Sequence, residues 1–221
     1  MRGRSYYQPP GLSTSGRAYA EVFVRRVHHL IGRGYARLTP AEFADSEEED
    51  ITGELVRAVD AVLDEPSAAR WMRWFSIHEE PRIHHAGRRG KRRLRCDIGI
   101  DSSQTQPRAR MRFEAKRLDH SHSEATYLGC KGMQRFLDGR YSRDDACAGM
   151  LGYVQTGDPE EWAARIERAI RTGAADLCVR TTCVWCQEQL AAELPFTYHS
   201  SHERPKVGRP IEIFHALLRF N

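Results

Sequence analysis

The chain predicts a mixed α/β fold, a central sheet covered by helices, on three observations. Apolar residues recur at helical spacing near the N-terminus and again around Trp162, two segments near the middle alternate strictly between apolar and polar side chains, and apolar strand-like runs follow them. At 221 residues the length suits a single domain, since domains usually hold ~100–200 residues. A composition of 40% hydrophobic and 29% charged residues is that of a globular protein, and it excludes disorder, collagen and coiled coil.

Taken in order, residues 1–16 are rich in Gly, Pro, Ser and Tyr and predict an irregular N-terminal arm, followed by one domain over 17–221 whose core falls at about 50–155. From Arg17 to Leu30 the residues Ala20, Phe23, Val24, Val27 and Leu30 mark a helix, with Gly32 and Gly34 as its stop. The acidic run Glu47 to Asp50 leads into a second helix carrying Leu55, Val59, Val62 and Leu63 and ending before Pro66. Acids there suit a helix N-terminal dipole, which is the reading adopted for Glu47 and Glu48. Residues 70–80 fit a late helix or an edge strand equally well.

From Arg93 to Asp101, Leu94, Cys96, Ile98 and Ile100 share one face while Arg93, Arg95, Asp97 and Asp101 share the other. The alternation resumes with Ala109, Met111, Phe113 and Ala115 against Arg108, Arg110, Arg112, Glu114 and Lys116, so the pair predicts a β-hairpin. A helix is expected from about Thr126 to near Gly139, then a buried strand in ACAGMLGYVQ. Asp158 caps a further helix with Pro159 in its first turn and Trp162, Ile166 and Ile170 as its core stripe, and strands at 195–200 and 210–220 finish the chain.

The formal net charge is only +4, but twelve basic residues against three acids between Arg82 and Arg117 make that segment +9 and the remainder −5. Such a cluster attracts polyanions, nucleic acid first among them. The competing reading of its densest part, GRRGKRR, is a solvated basic loop. No stretch nears the ~20 apolar residues a membrane span needs, and the start MRGRSYYQPP has no apolar core for a signal peptide, so no membrane partner and a cytoplasmic location are expected. Six cysteines in a chain of this length favour reduced thiols or a metal site over disulfides.

Chemistry concentrates on the hairpin. If pairing residues sum to 209, Asp97 lies opposite Arg112 and diagonal to Glu114; if they sum to 211, the two acids face each other directly. Either register puts them within ~4.5–8 Å on one face. Two such carboxylates repel unless a cation sits between them, and oxygen donors suit Mg²⁺ or Mn²⁺. Lys116 projects from the same face, and Arg93, Arg95, Arg110 and Arg112 are candidates to hold phosphates beside it. A divalent ion with positive groups around it is what phosphodiester hydrolysis requires.

The series Asp97-Ile98-Gly99-Ile100, sixteen residues from Ile98 to Phe113, then Glu114-Ala115-Lys116, resembles the D…(D/E)xK signature of the PD-(D/E)xK, or restriction-endonuclease-like, nuclease superfamily. The resemblance implies a restriction-endonuclease-like mixed central sheet flanked by helices, with a core of helix, three-stranded hairpin region, helix and strand. It implies Asp97 and Glu114 as metal ligands, the Ala115 carbonyl as a further ligand, Lys116 as the residue positioning the attacking water, and Glu54 or Glu49 as a third carboxylate. Lys131 and Gln134 match positions where such nucleases place a Gln or Lys facing the site; as exposed helix polar residues they would need no such role. Cys96 stands where the family often has Pro. GMQRFLDGRY and the C-terminal HSSHERPKVGRPIEIFHALLRF are similar to members associated with bacterial defence.

The resulting expectation is a Mg²⁺-dependent nuclease acting on DNA, in defence against foreign DNA, with a homodimer or a partner protein of a defence system left open. The alternatives are a catalytically inactive nucleic-acid-binding module and a partner-binding subunit whose charges form a salt-bridge ladder, Asp97 with Arg112 and Glu114 with Arg95. Cys178, Cys183 and Cys186, spaced C-x4-C-x2-C, raise zinc or an iron–sulfur cluster, but no fourth ligand is set by spacing and buried thiols are the expectation. His28-His29 and His84-His85 are expected in solvent, His199 and His202 with Arg204 at a phosphate or in a loop cluster, and His215 packed in the apolar C-terminal run.

Overall fold

The computed structural model describes residues 14–83 and 93–221. The arm's residues 1–13, the pair His84-His85 and most of GRRGKRR lie outside the described residues. The order is α1 (Thr14–Tyr35), α2 (Glu48–Leu63), β1 (Phe75–Glu79), β2 (Ile98–Ser102), β3 (Ala109–Leu118), α3 (Glu124–Leu128), α4 (Gln134–Leu137), β4 (Cys147–Val154), α5 (Pro159–Thr172), β5 (Cys186–Gln187), β6 (Thr197–His202) and β7 (Ile211–Arg219). Seven strands form one mixed sheet in the order β1-β2-β3-β4-β7-β6-β5, antiparallel at both ends and parallel across β3, β4 and β7. Among the described residues no helix is long and apolar enough to cross a membrane.

Helices cover both faces. Val27, Leu30 and Ile31 of α1 and Ile51, Leu55 and Val59 of α2 pack on Ile100, Phe113, Leu151 and Phe214. On the other face Trp162, Ile166 and Ile170 of α5, with Tyr127 and Phe136, pack on Met150, Ile213 and Leu217. The α5 stripe and the Asp158 cap, whose carboxylate accepts from Glu160 N at 2.8 Å, are as the spacing predicts.

Four expectations need correction. The first helix begins at Thr14, so the arm is shorter, and it runs through both glycines to Tyr35. Gly34 is a packing residue: a Cβ there would strike the Val59 side chain and lie 3.1 Å from Val59 N. Gly34→Ala should therefore lower stability by about 1–2 kcal/mol in urea denaturation, overpacking outweighing the ~1 kcal/mol helix gain.

Secondly, the alternation breaks at Asp97. Leu94 and Cys96 pack in the α5-side core while Ile98 and Ile100 pack against α1 and α2, so the strand starts at Ile98 rather than Arg93. The ambiguous segment 70–80 is a short 3-10 turn (Met72–Trp74) followed by edge strand β1, which pairs with β2. Thirdly, the helix expected from Thr126 is two short ones, because Gly129 and Gly132 sit where a Cβ would meet the Ala125 and Tyr127 carbonyls.

Lastly, His28 is buried rather than solvated, its ring edge-on to Phe113 and Phe214 and its Nδ1 at 2.8 Å from the Val24 carbonyl. His202 and His215 are buried too, bridged by the Ser200 hydroxyl at 2.7 and 2.9 Å, and His215 also meets Tyr127 OH at 3.1 Å. Arg204 is fully buried on the Ser142 and Asp145 carbonyls at 2.8 and 3.0 Å, so it ties loops together and offers nothing to a phosphate.

Burial lowers the pKa of His28 to about 4, below the 6.5 of an unfolded histidine. The unfolded chain then binds the extra proton between those values, so this stability is present above pH 6.5 and is lost as pH falls toward 4. His28→Leu should hold its stability better than the parent chain across that window, by about 3 kcal/mol at its acid end, when the two are unfolded in urea at matched pH. An identical pH slope in both would disprove the burial effect.

Candidate active site on the β2–β3 hairpin

β2 and β3 pair in the 211 register, Ile98 opposite Phe113 and Gly99 opposite Arg112. Asp97 N donates to the Phe113 carbonyl at 3.1 Å, and the Asp97 carboxylate accepts from Ala115 N at 2.6 Å. The bend that breaks the strand's parity thus turns Asp97 onto the backbone of the Glu114-Ala115-Lys116 triplet.

Lys116 Nζ is the hub of the cluster. It stands 3.1 Å from Glu114 Oε1, 3.9 Å from Asp97 Oδ2 and 2.7 Å from Glu48 Oε1, and it also bonds the Ala115 carbonyl. Glu48, the first residue of α2, spans the gap between helix and sheet, its other oxygen accepting from Arg117 N at 3.1 Å. Arg135 of α4 closes the far side, 3.0 Å from Glu114 Oε1 and bonded to Tyr141 OH.

Burial, then the Asp97 charge beside it, pushes the Glu114 carboxyl up to about 7. Burial also raises Asp97, with Lys116 pulling the other way. For Lys116 burial works against the ammonium, but Glu114, Glu48 and Asp97 outweigh it and hold its pKa above the usual lysine value. Glu114 Oε2 is buried without a hydrogen bond, a carboxylate oxygen with no partner among the described groups. A cleft of about 180 Å³ opens beside the cluster, lined by Glu48, Glu49, Thr52, Glu79, Glu80 and Asp97. Five carboxylates there give the cleft a negative potential.

Of the sequence candidates, Asp97, Glu114, Ala115 and Lys116 come together. Glu54 does not: half-exposed, it pairs with Arg57 at 2.9 Å and makes no contact with Lys116. Glu49 lines the cleft without reaching the lysine, and Glu48, read from sequence as a dipole residue, makes the contact. Lys131 is exposed and Gln134 half-buried, and Arg135 is the α4 side chain that reaches Glu114. Arg110 and Arg95 are exposed, Arg95 paired with Glu80. Arg112 is held by Asp101 at 2.6 Å, and Arg93 has a buried Nε with no hydrogen bond. The ladder of Asp97 with Arg112 and Glu114 with Arg95 is not formed among these residues; each arginine takes another acid.

At the opposite edge of the sheet Cys183 and Cys186 are joined as a disulfide, where reduced thiols were expected. Cys178 is not part of that group; His199 is. No family model, curated protein or solved structure matches the chain.

Proposed function

We propose that the chain is a Mg²⁺- or Mn²⁺-dependent nuclease of the PD-(D/E)xK kind, hydrolysing phosphodiester bonds of DNA in defence against foreign DNA. The observation that carries this reading is the convergence of Asp97, Glu114 and Lys116, with Glu48, beside an acidic cleft. The order α2, β1, β2, β3, short helices, β4 supports it, since it follows the helix, three strands, helix and strand that the resemblance implies.

The donor set fits a hard divalent ion. Asp97, Glu114 and the Ala115 carbonyl offer only oxygen, and Glu114 Oε2 is a buried donor atom with no hydrogen bond of its own. Those three residues would hold the ion, which supplies Lewis acidity and charge neutralisation at the phosphate. The remaining chemistry belongs to the chain. Lys116 stays protonated, orients the attacking water and places positive charge where the phosphorane's oxygens gain negative charge. Water's oxygen bonds phosphorus as the bond to the leaving oxygen breaks, the water's proton passing to solvent through the adjoining cleft and the leaving oxygen taking one from solvent. Glu48 and Arg135 hold Lys116 and Glu114 in place from opposite sides, and exposed Arg95 and Arg110 offer contacts to flanking phosphates.

The test is incubation of plasmid and single-stranded DNA with the full chain in Mg²⁺, Mn²⁺ or EDTA. Cleavage should require the ion and vanish in Asp97→Ala, Glu114→Ala and Lys116→Ala. Cleavage retained by all three would remove the site assignment. Salt-sensitive DNA binding without cleavage under any ion would replace the enzyme by the inactive binding module.

A further inference from the structure

We propose that Cys183 and Cys186, once reduced, bind a zinc ion together with His199 at the outer edge of the sheet. This centre stands apart from the hairpin site, with β4, β7 and β6 between β3 and the β5 edge. β5 places Cys186 directly across from His199 of β6, and Cys183 lies three residues earlier in the incoming loop, its sulfur 3.2 Å from the His199 carbonyl. One ligand atom from each of the three residues lies within 4.8 Å of the others. Tetrahedral zinc with Zn–S of ~2.3 Å and Zn–N of ~2.0–2.1 Å needs ligand atoms somewhat under 4 Å apart, so small side-chain shifts suffice.

A second observation points the same way. His199 is 3% exposed, and its Nδ1 makes no hydrogen bond although Glu188 Oε2 lies 3.1 Å away. A buried imidazole beside a carboxylate is the arrangement that orients and strengthens a zinc-ligating histidine. Two thiolates and an imidazole are soft to borderline donors that select zinc over Mg²⁺, and the fourth position falls to a water molecule.

The disulfide and the zinc centre exclude each other, because a sulfur in the S–S bond has no thiolate to donate. A dithiol reductant gives the disulfide two electrons and two protons and is itself oxidised to a disulfide; zinc then displaces the two thiol protons with no further electron transfer. Either state ties the chain between α5 and β6 to a sheet edge where β5 supplies only two residues of strand. Zinc binding would add folding energy there.

The test uses the full chain reduced by a phosphine, freed of reductant without air, and titrated with Zn²⁺ against a chromogenic chelator, with Co²⁺ as the spectroscopic probe. About one ion per chain should bind, and the cobalt form should show sulfur-to-metal charge transfer. Cys183→Ser and Cys186→Ser should lose at least ~100-fold in affinity and His199→Gln at least ~10-fold, while Cys178→Ser binds as the parent does. In the unmutated chain, independently of how the variants fold, zinc should shield Cys183 and Cys186 from iodoacetamide and leave exposed Cys130 reactive. Failure of the reduced parent chain to bind zinc, binding that survives both serine substitutions, or shielding absent from Cys183 and Cys186 would overturn the proposal.

Discussion

Lys116→Met should abolish the proposed DNA cleavage, by at least ~10²-fold, and in EDTA should also cost about 3–5 kcal/mol of stability. The lysine is 8% exposed and answers three carboxylates, Glu114, Glu48 and Asp97, two of them within 3.1 Å. Methionine fills similar space but leaves those acids facing one another away from bulk water. A divalent ion replaces the missing positive charge, so Mg²⁺ should restore much of the lost stability while cleavage stays absent. Denaturant unfolding of parent and variant, each with Mg²⁺ and with EDTA, reads both effects. A purely structural salt-bridge cluster would give the same stability loss with and without the ion.

Glu114→Gln and Asp97→Asn should abolish cleavage by at least ~10³-fold and yet melt at or above the parent's temperature in EDTA. Glu48, Asp97 and Glu114 outnumber Lys116 and Arg135 in the cluster, so removing one negative charge relieves repulsion between buried acids. The amides keep the geometry: the carboxamide oxygen at position 97 still accepts from Ala115 N, and the one at position 114 still accepts from Lys116 and Arg135. Differential scanning fluorimetry with added Mg²⁺ should raise the parent's melting temperature and leave those of the variants unmoved. Variants that melt far below the parent in EDTA would mark the acids as structural members of the fold.

Much of this arrangement was legible in the sequence because it rests on local periodicity. The α5 stripe, the buried β4 run and the polar face carrying Glu114 and Lys116 each follow from spacing alone, and a 211 register was one of the two that counting allowed. What escaped was set by contacts between distant segments. Glu48 lies 68 residues from Lys116, and an acid in a helix's first turn looks the same whether it serves the dipole or reaches a buried ammonium. The bend at Asp97 hides inside an unbroken alternation, since Leu94, Cys96, Ile98 and Ile100 are apolar whichever core receives them.

Arg135 was missed for a smaller reason. Counting from Lys131 to Gln134 assumes one continuous helix, and the break at Gly129 and Gly132 resets the phase, so that the neighbouring residue faces Glu114. The same limit applies to His199, whose partnership with Cys186 exists only through strand pairing. Gly34 shows the converse error: a residue type that usually stops a helix is here used for its lack of a side chain, where α1 crosses α2.

The most direct measurement is titration of Mn²⁺ into the full chain, followed by EPR, for the parent, Asp97→Asn, Glu114→Gln and Glu54→Gln. Tight binding of about one ion by the parent and by Glu54→Gln, and its loss in the other two, is the result expected of an oxygen site built on the hairpin. Equal Mn²⁺ binding by the parent and Asp97→Asn, or none by the parent, would contradict it.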